Sequence, residues 1–163
     1  MNPFPLHTQR LELVLPSVEE MLAKIDVMSP ADKQQISEEW LSRVSRATSP
    51  DPWVHGFTLK RRDDDTVIGE CAFKGPPDSD GIVEIAYHVF SDHQGNGFAT
   101  ETAAALTVFA FTYDTVRVVR AHTLPESNAS TRVLTKCGFQ YVGEVMDPDD
   151  GLVWRWEKHP NAV

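Results

Sequence analysis

The sequence predicts an α/β (α+β) fold, a mixed and mostly antiparallel sheet flanked by about four helices. Three observations carry this expectation. Apolar residues recur with period two in several short runs and with a helical period in others, a hairpin signal sets two strands antiparallel near the middle, and the second half alternates strand, helix, strand, helix. With 163 residues the chain is expected to form a single domain over 1–163, long enough to bury a core without disulfide or metal staples.

Leu11, Leu13 and Leu15 alternate with polar neighbours over Gln9–Leu15, the period of a half-buried strand, and Pro16 ends it. Ser17-Val18-Glu19-Glu20 has capping-box spacing and opens a helix expected to reach about Ile25. Ser29 as a cap, with Pro30 in the first helical position, starts a second helix whose apolar stripe is Ile36, Trp40, Leu41 and Val44. Thr48-Ser49-Pro50-Asp51-Pro52 breaks it. Strands are expected over Trp53–Lys60 and Thr66–Lys74, joined by the acidic turn Asp63-Asp64-Asp65, before a loop from Gly75 to Gly81. The second half continues with a strand over Ile82–Phe90, a helix from about Ala99 to Thr112 and a strand near Arg117–Thr123. A helix near Asn128–Lys136 closed by Gly138 precedes the last strands, Gln140–Val145 and Val153–Glu157.

Composition narrows the function classes. A formal net charge of −9 argues against a nucleic-acid partner and suits a cationic, amine-bearing substrate, although acidity also serves solubility alone. No apolar run approaches the roughly 20 residues of a spanning helix, so no membrane partner is expected. The start, Met1-Asn2-Pro3-Phe4-Pro5, lacks the basic and apolar regions of a signal peptide, and the cytoplasm is the expected compartment. The two cysteines, Cys71 and Cys137, suit thiols in a reducing compartment. His55, His88, His93 and His122 match no zinc spacing, and no metal site is expected.

The most informative segment is Gln94-Gly95-Asn96-Gly97-Phe98-Ala99-Thr100, between the strand ending at Phe90 and the following helix. The first N–H groups of a helix have no intrahelical partner, and glycines let backbone approach closely, so such a loop cradles phosphate. No Gly-Lys-Ser/Thr follows, which excludes a Walker loop, and no third glycine opens the helix, which excludes the dinucleotide fingerprint.

The remaining pattern, Gln94, Gly97 and Ala99, resembles the pyrophosphate loop of the GNAT N-acetyltransferases. Further segments carry the same resemblance: Thr8-Gln9-Arg10-Leu11-Glu12-Leu13, Val83-Glu84-Ile85-Ala86-Tyr87, Asn128-Ala129-Ser130, and Leu134-Thr135-Lys136-Cys137-Gly138-Phe139. Within that family the chain looks most like the RimJ/RimL-like ribosomal-protein-alanine N-acetyltransferases. The resemblance implies a GNAT fold with parallel strands 4 and 5 splayed apart and acetyl-CoA as co-substrate. Its pyrophosphate would lie on Gln94, Gly95, Asn96, Gly97, Phe98, Ala99 and Thr100, and its pantetheine against Val89 and Phe90 with Asn128 in reach. A helix cap alone also explains Asn128.

Acetyl transfer from a thioester to an amine needs a held donor, a deprotonated amine and a donor of hydrogen bonds to the oxyanion, for which Asn128 is the candidate. Glu84 is the candidate base, a carboxylate in an apolar run where burial favours proton uptake. It shares a strand face with Ala86, His88 and Phe90, so His88 is a second candidate in a proton path, and His122 a third. Many GNATs have a tyrosine two residues before the lysine of Lys-x-Gly-Phe, where this chain has Leu134. Ser130 is the candidate acid, with Ser127, Tyr141 or water as alternatives. The expected function is acetyl-CoA-dependent N-acetyl transfer by direct attack in a ternary complex, to a peptide or protein N-terminus or to a small-molecule amine. The alternatives are a non-catalytic CoA-binding regulatory or sensor module, or a binder of another nucleotide phosphate. A homodimer is left open.

Overall fold

Alternating side chains build the sheet. In β2 (Leu11–Val14), Leu11 and Leu13 are fully buried while Glu12 and Val14 stay partly exposed, the pleat of a strand with one covered face. The computed structural model describes residues 4–46 and 51–160. The other strands are β1 (Leu6–His7), β3 (Phe57–Arg61), β4 (Val67–Phe73), β5 (Ile82–Val89), β6 (Val118–Thr123), β7 (Gln140–Asp147) and β8 (Gly151–Lys158). They form one sheet in the order β1-β2-β3-β4-β5-β6-β8-β7. Every neighbouring pair is antiparallel except β5–β6.

That parallel pair is splayed, as the resemblance implied. It pairs only through Ile82–Val118, Val83–Val119 and Glu84–Arg120, although β5 runs on to Val89 and β6 to Thr123. On the other side of β5, Lys74 N–H donates to the Glu84 carbonyl and Phe90 N–H to the Ile68 carbonyl. Antiparallel alternation therefore turns the Ile85 carbonyl and the N–H and C=O groups of Tyr87 and Val89 into the opening between the diverging strands, the Ile85 N–H closing the last rung to Arg120.

Five helices accompany the sheet: α1 (Val18–Asp26), α2 (Pro30–Gln34), α3 (Glu38–Arg46), α4 (Phe98–Phe111) and α5 (Ala129–Lys136). The core lies between one sheet face and α4, where Leu11, Leu59, Val83, Ile85 and Val119 meet Phe98, Ala103, Leu106 and Phe109. Thr102 and Thr107 are buried in α4, and their hydroxyls donate to the Phe98 and Ala103 carbonyls at 2.8 and 2.7 Å, so neither is orphaned.

Several boundaries differ from the sequence expectation for local reasons. The helix expected from Pro30 to Val44 is two, because Ser37 Oγ accepts the Trp40 N–H at 3.1 Å and caps a new start. The Val44 side chain and residues 48–50 of the expected break lie outside the described residues. Strand β3 begins at Phe57 rather than Trp53, because Asp51 accepts the N–H groups of Trp53 and His55 and closes a turn. The two-residue β1 was too short to show a period.

Gly69 in β4 faces Val89, and a Cβ there would stand 2.2 Å from the His88 carbonyl oxygen. Gly69→Ala is expected to push β4 from β5 and to destabilise by about 1–3 kcal/mol, read as a lowered Tm.

Candidate active site

The 94–100 loop ends in a helix start that no side chain caps. Gly97 is the N-cap residue in a left-handed conformation, φ 82°, and Gly95 has φ 81°. The first helical bond is Glu101 N–H to the Gly97 carbonyl, and among the described residues the N–H groups from Gly95 to Thr100 have no acceptor. Two side chains brace the loop. Gln94 Nε2 donates to the Val89 carbonyl at 2.8 Å, and Asn96 Nδ2 donates to the His93 carbonyl at 3.2 Å. Unpaired donors at a positive helix end suit an oxyanion.

The Thr8-x-Arg10 segment holds this end of α4 in place. Thr8 Oγ1 and Arg10 N–H donate to Glu101 Oε2 at 2.5 and 3.1 Å, and Arg10 Nε donates to Oε1 at 2.6 Å. Burial opposes ionisation of Glu101, but these hydrogen bonds and the Arg10 charge prevail and hold its carboxyl below the usual range. The Arg10 guanidinium lies 4.5 Å from the Phe98 ring centroid, beside the loop, and its terminal nitrogen would be 3.3 Å from a Cβ on Gly97. Arg10 lies in the Thr8–Leu13 segment that resembles the family, but it was not among the predicted site residues.

The other sheet face carries a cleft of about 1030 Å³, lined by α1, α3 and strands β3 to β5. Its floor is low because small residues align there: a Cβ on Gly56, just before β3, would stand 3.6 Å from the Ala72 Cβ, and Ala72 faces Ala86 across β4–β5. Glu20, Glu39, Glu70 and Asp78 line it against Lys24 and Lys74.

Glu84 stands beside this floor, where pairing of β5 with β6 stops. Its side chain is 20% exposed, and Lys74 Nζ lies 3.0 Å from Oε2. His122 Nδ1 approaches the same oxygen at 3.1 Å but is not aligned as a hydrogen bond, so it is a close polar contact. Oε1 has no partner among the described residues. Burial alone lowers the Lys74 pKa, but the hydrogen bond and charge of Glu84, with Asp150 and Asp147 behind it, raise it overall. His122 Nε2 accepts from Arg155 Nε at 3.1 Å.

The model of the acetyltransferase (GNAT) domain matches residues 10–140. The chain belongs to the GNAT acetyltransferase family. An uncharacterised N-acetyltransferase, p20, of Bacillus licheniformis is 32% identical over 91 residues, which are 56% of this chain and 51% of that protein. This chain thus spans about half the length of that relative. Among solved structures, a ribosomal-protein-S5-alanine acetyltransferase from Vibrio fischeri superposes with TM-score 0.69 at 13% identity, covering 94% of this chain and 95% of the other. RimL, a ribosomal L7/L12 alpha-N-protein acetyltransferase in complex with coenzyme A, gives 0.70 at 13%, covering 93% and 95%. At such identities these likenesses concern the fold.

Within this GNAT fold the sequence-predicted residues fall into two groups. Val89, Phe90, Gln94, Gly95, Asn96, Gly97, Phe98, Ala99 and Thr100 form one continuous path from the end of β5 into α4. Val89 and Phe98 are buried, with their side chains in the core. Asn128 caps α5: its Oδ1 accepts the Thr131 N–H at 3.1 Å, and Thr131 Oγ1 accepts the Asn128 N–H at 3.0 Å. No hydrogen bond or ion pair joins Ser130, in the first turn of α5, to Glu84, Lys74 or His122. Leu134 is fully buried in the core. Of the two histidines weighed beside Glu84, His122 contacts it; His88 is exposed, opposite Glu70, with its ring 5.6 Å from Phe90. Among the described residues no cluster of His, Cys, Asp and Glu could hold a metal ion.

Proposed function

We propose that this GNAT chain is an acetyl-CoA-dependent N-acetyltransferase that acts on a cationic primary amine. The observation that carries the reading is the position of Glu84, at the mouth of the splay, with the 1030 Å³ cleft on its face and the unpaired N–H loop at the far end of the same strand. The loop's unpaired donors fit a pyrophosphate, and Gly95 to Thr100 would hold it with Arg10 alongside. The Ile85 carbonyl, both Tyr87 backbone groups and the Val89 N–H suit an extended, amide-bearing arm such as pantetheine, while Gln94 occupies the Val89 carbonyl, and the uncommitted Nδ2 of Asn128 suits its carbonyls. Acetyl-CoA supplies the activated acyl group as a thioester.

The amine enters as an ammonium, which the acidic cleft favours. Glu84 Oε1, the oxygen that Lys74 and His122 leave open, takes its proton directly or through water. The neutral amine then attacks the thioester carbonyl, the C–S bond breaks and coenzyme A departs as the thiolate, which is reprotonated. Direct attack fits the cysteines: burial pushes both the Cys71 and Cys137 thiols up, with Lys158 only partly opposing this at Cys137, so neither offers a ready thiolate for an acyl-enzyme. Ser130, Ser127, Tyr141 or water reprotonates the thiolate.

The acceptor is either a peptide or protein N-terminus or a small-molecule amine. A mixed screen of N-terminal peptides and small amines, with released thiol measured, tests the reading. Acetyl-CoA-dependent thiol release with at least one amine is expected. Tight CoA binding with no turnover of any amine would leave a sensor module instead, and acetylation confined to small amines would defeat the protein-substrate reading.

A further inference from the structure

Two arginines stand on the cleft face of the sheet near Glu84. Arg120 behaves as a half-buried guanidinium ordinarily does, donating to Glu157 Oε2 from Nε at 2.8 Å and from its terminal nitrogen at 2.6 Å. Arg155 has no carboxylate partner among the described residues. It faces His122 across β6–β8 and Gly143 across β7–β8, where no side chain competes for it, and its Nε donates to His122 Nε2 at 3.1 Å.

A guanidinium nitrogen carries hydrogens and no available lone pair, so His122 Nε2 must supply the lone pair of that bond. The proton of the neutral ring then sits on Nδ1, which is buried and lies 3.1 Å from Glu84 Oε2. In the opposite tautomer Nε2–H would point at Arg155 Nε–H, and the Nδ1 lone pair would face a carboxylate oxygen. Both contacts would be repulsive. With Nδ1–H in place, Lys74 holds Oε2 from the β4 side and the His122 N–H dipole meets it at 3.1 Å from the β6 side as a favourable polar contact short of an aligned hydrogen bond, and Oε1 keeps no partner among the described residues.

We infer that Arg155 is a positioning residue for the reaction: by donating to Nε2 it holds His122 as the Nδ1–H tautomer, which keeps Glu84 oriented with Oε1 open. This rests on the reading that Glu84 takes the amine proton. Arg155 touches neither that proton nor the acyl group, and its effect passes wholly through the imidazole.

The tautomer is read by long-range 1H–15N spectra of the free protein at a pH where imidazoles are neutral, with the His122 signals assigned by their loss in His122→Asn. The wild type is expected to show His122 with its proton on Nδ1. Arg155→Met, which keeps the aliphatic stem but removes the donor, is expected to shift it towards Nε2–H, whereas Arg155→Lys, which can still donate, should retain the wild-type form. Arg155→Met should lower kcat roughly tenfold with KM for acetyl-CoA unchanged, and Arg155→Lys should restore most of it. In the His122→Asn background, Arg155→Met should have no further effect on kcat. A wild-type His122 protonated on Nε2, an unshifted tautomer in Arg155→Met, or an equal kcat loss with and without His122 would each overturn the inference. Absence of turnover with every amine would strike the proposed reaction alone, since the spectra read the tautomer without it.

Discussion

Glu84→Gln is expected to lower kcat by roughly 10²–10⁴-fold while leaving CoA affinity nearly intact. Glutamine keeps the size of the side chain and an oxygen for Lys74 or His122, but it cannot take a proton. The loss should shrink as pH rises, because more of the free amine is then already neutral and less depends on a base from the protein. Stability should change little: Lys74 is 45% exposed, and a partly solvated ion pair is worth about 0–1 kcal/mol. A kcat loss that stays constant across pH would show that Glu84 orients the substrate or ties β4 to β6 rather than accepting the proton.

Gly97→Val should weaken CoA binding at least tenfold, on the order of 1.4 kcal/mol. Gly97 has φ 82°, a left-handed conformation that a β-branched residue adopts only under strain. A Cβ there would also crowd Arg10 at 3.3 Å, on the side where the guanidinium lies beside the loop. Relief of that strain would turn the N–H groups of Gly97 and Phe98 away from a bound anion. Calorimetric titration with CoA reads the effect, and unchanged affinity in a folded variant would take the loop out of the binding site.

The parts of the site that were legible in the sequence are those whose chemistry is local. Gly95, Gly97 and the helix after them are contiguous, so strand, turn and helix start read as one unit. Glu84 stood out as a carboxylate inside an apolar strand. Lys74 and Arg155 did not, because Lys74 follows β4 and Arg155, on β8, reaches Glu84 only through His122, and these meet through sheet register, which no local pattern encodes. Thr8 and Arg10 were visible as a segment, but their reason lies in Glu101, on a helix far along the chain. The division of the second helix was within reach, since Ser37-Glu38-Glu39-Trp40 is itself a capping signal, and the apolar stripe running past it masked the stop. Period placed His88 on the face of Glu84, but four residues along β5; the Glu84–Arg120 register sets His122, two residues beyond Arg120, within reach of the carboxylate.

A crystal structure of the chain with coenzyme A is the most direct measurement. Pyrophosphate oxygens are expected within hydrogen-bond distance of the N–H groups between Gly95 and Thr100, the pantetheine along the free backbone edge of Ile85 to Val89, and the thiol at the Glu84 end of the splay. Coenzyme A bound with its pyrophosphate away from residues 94–100, or with its thiol remote from Glu84, would contradict the proposed transfer.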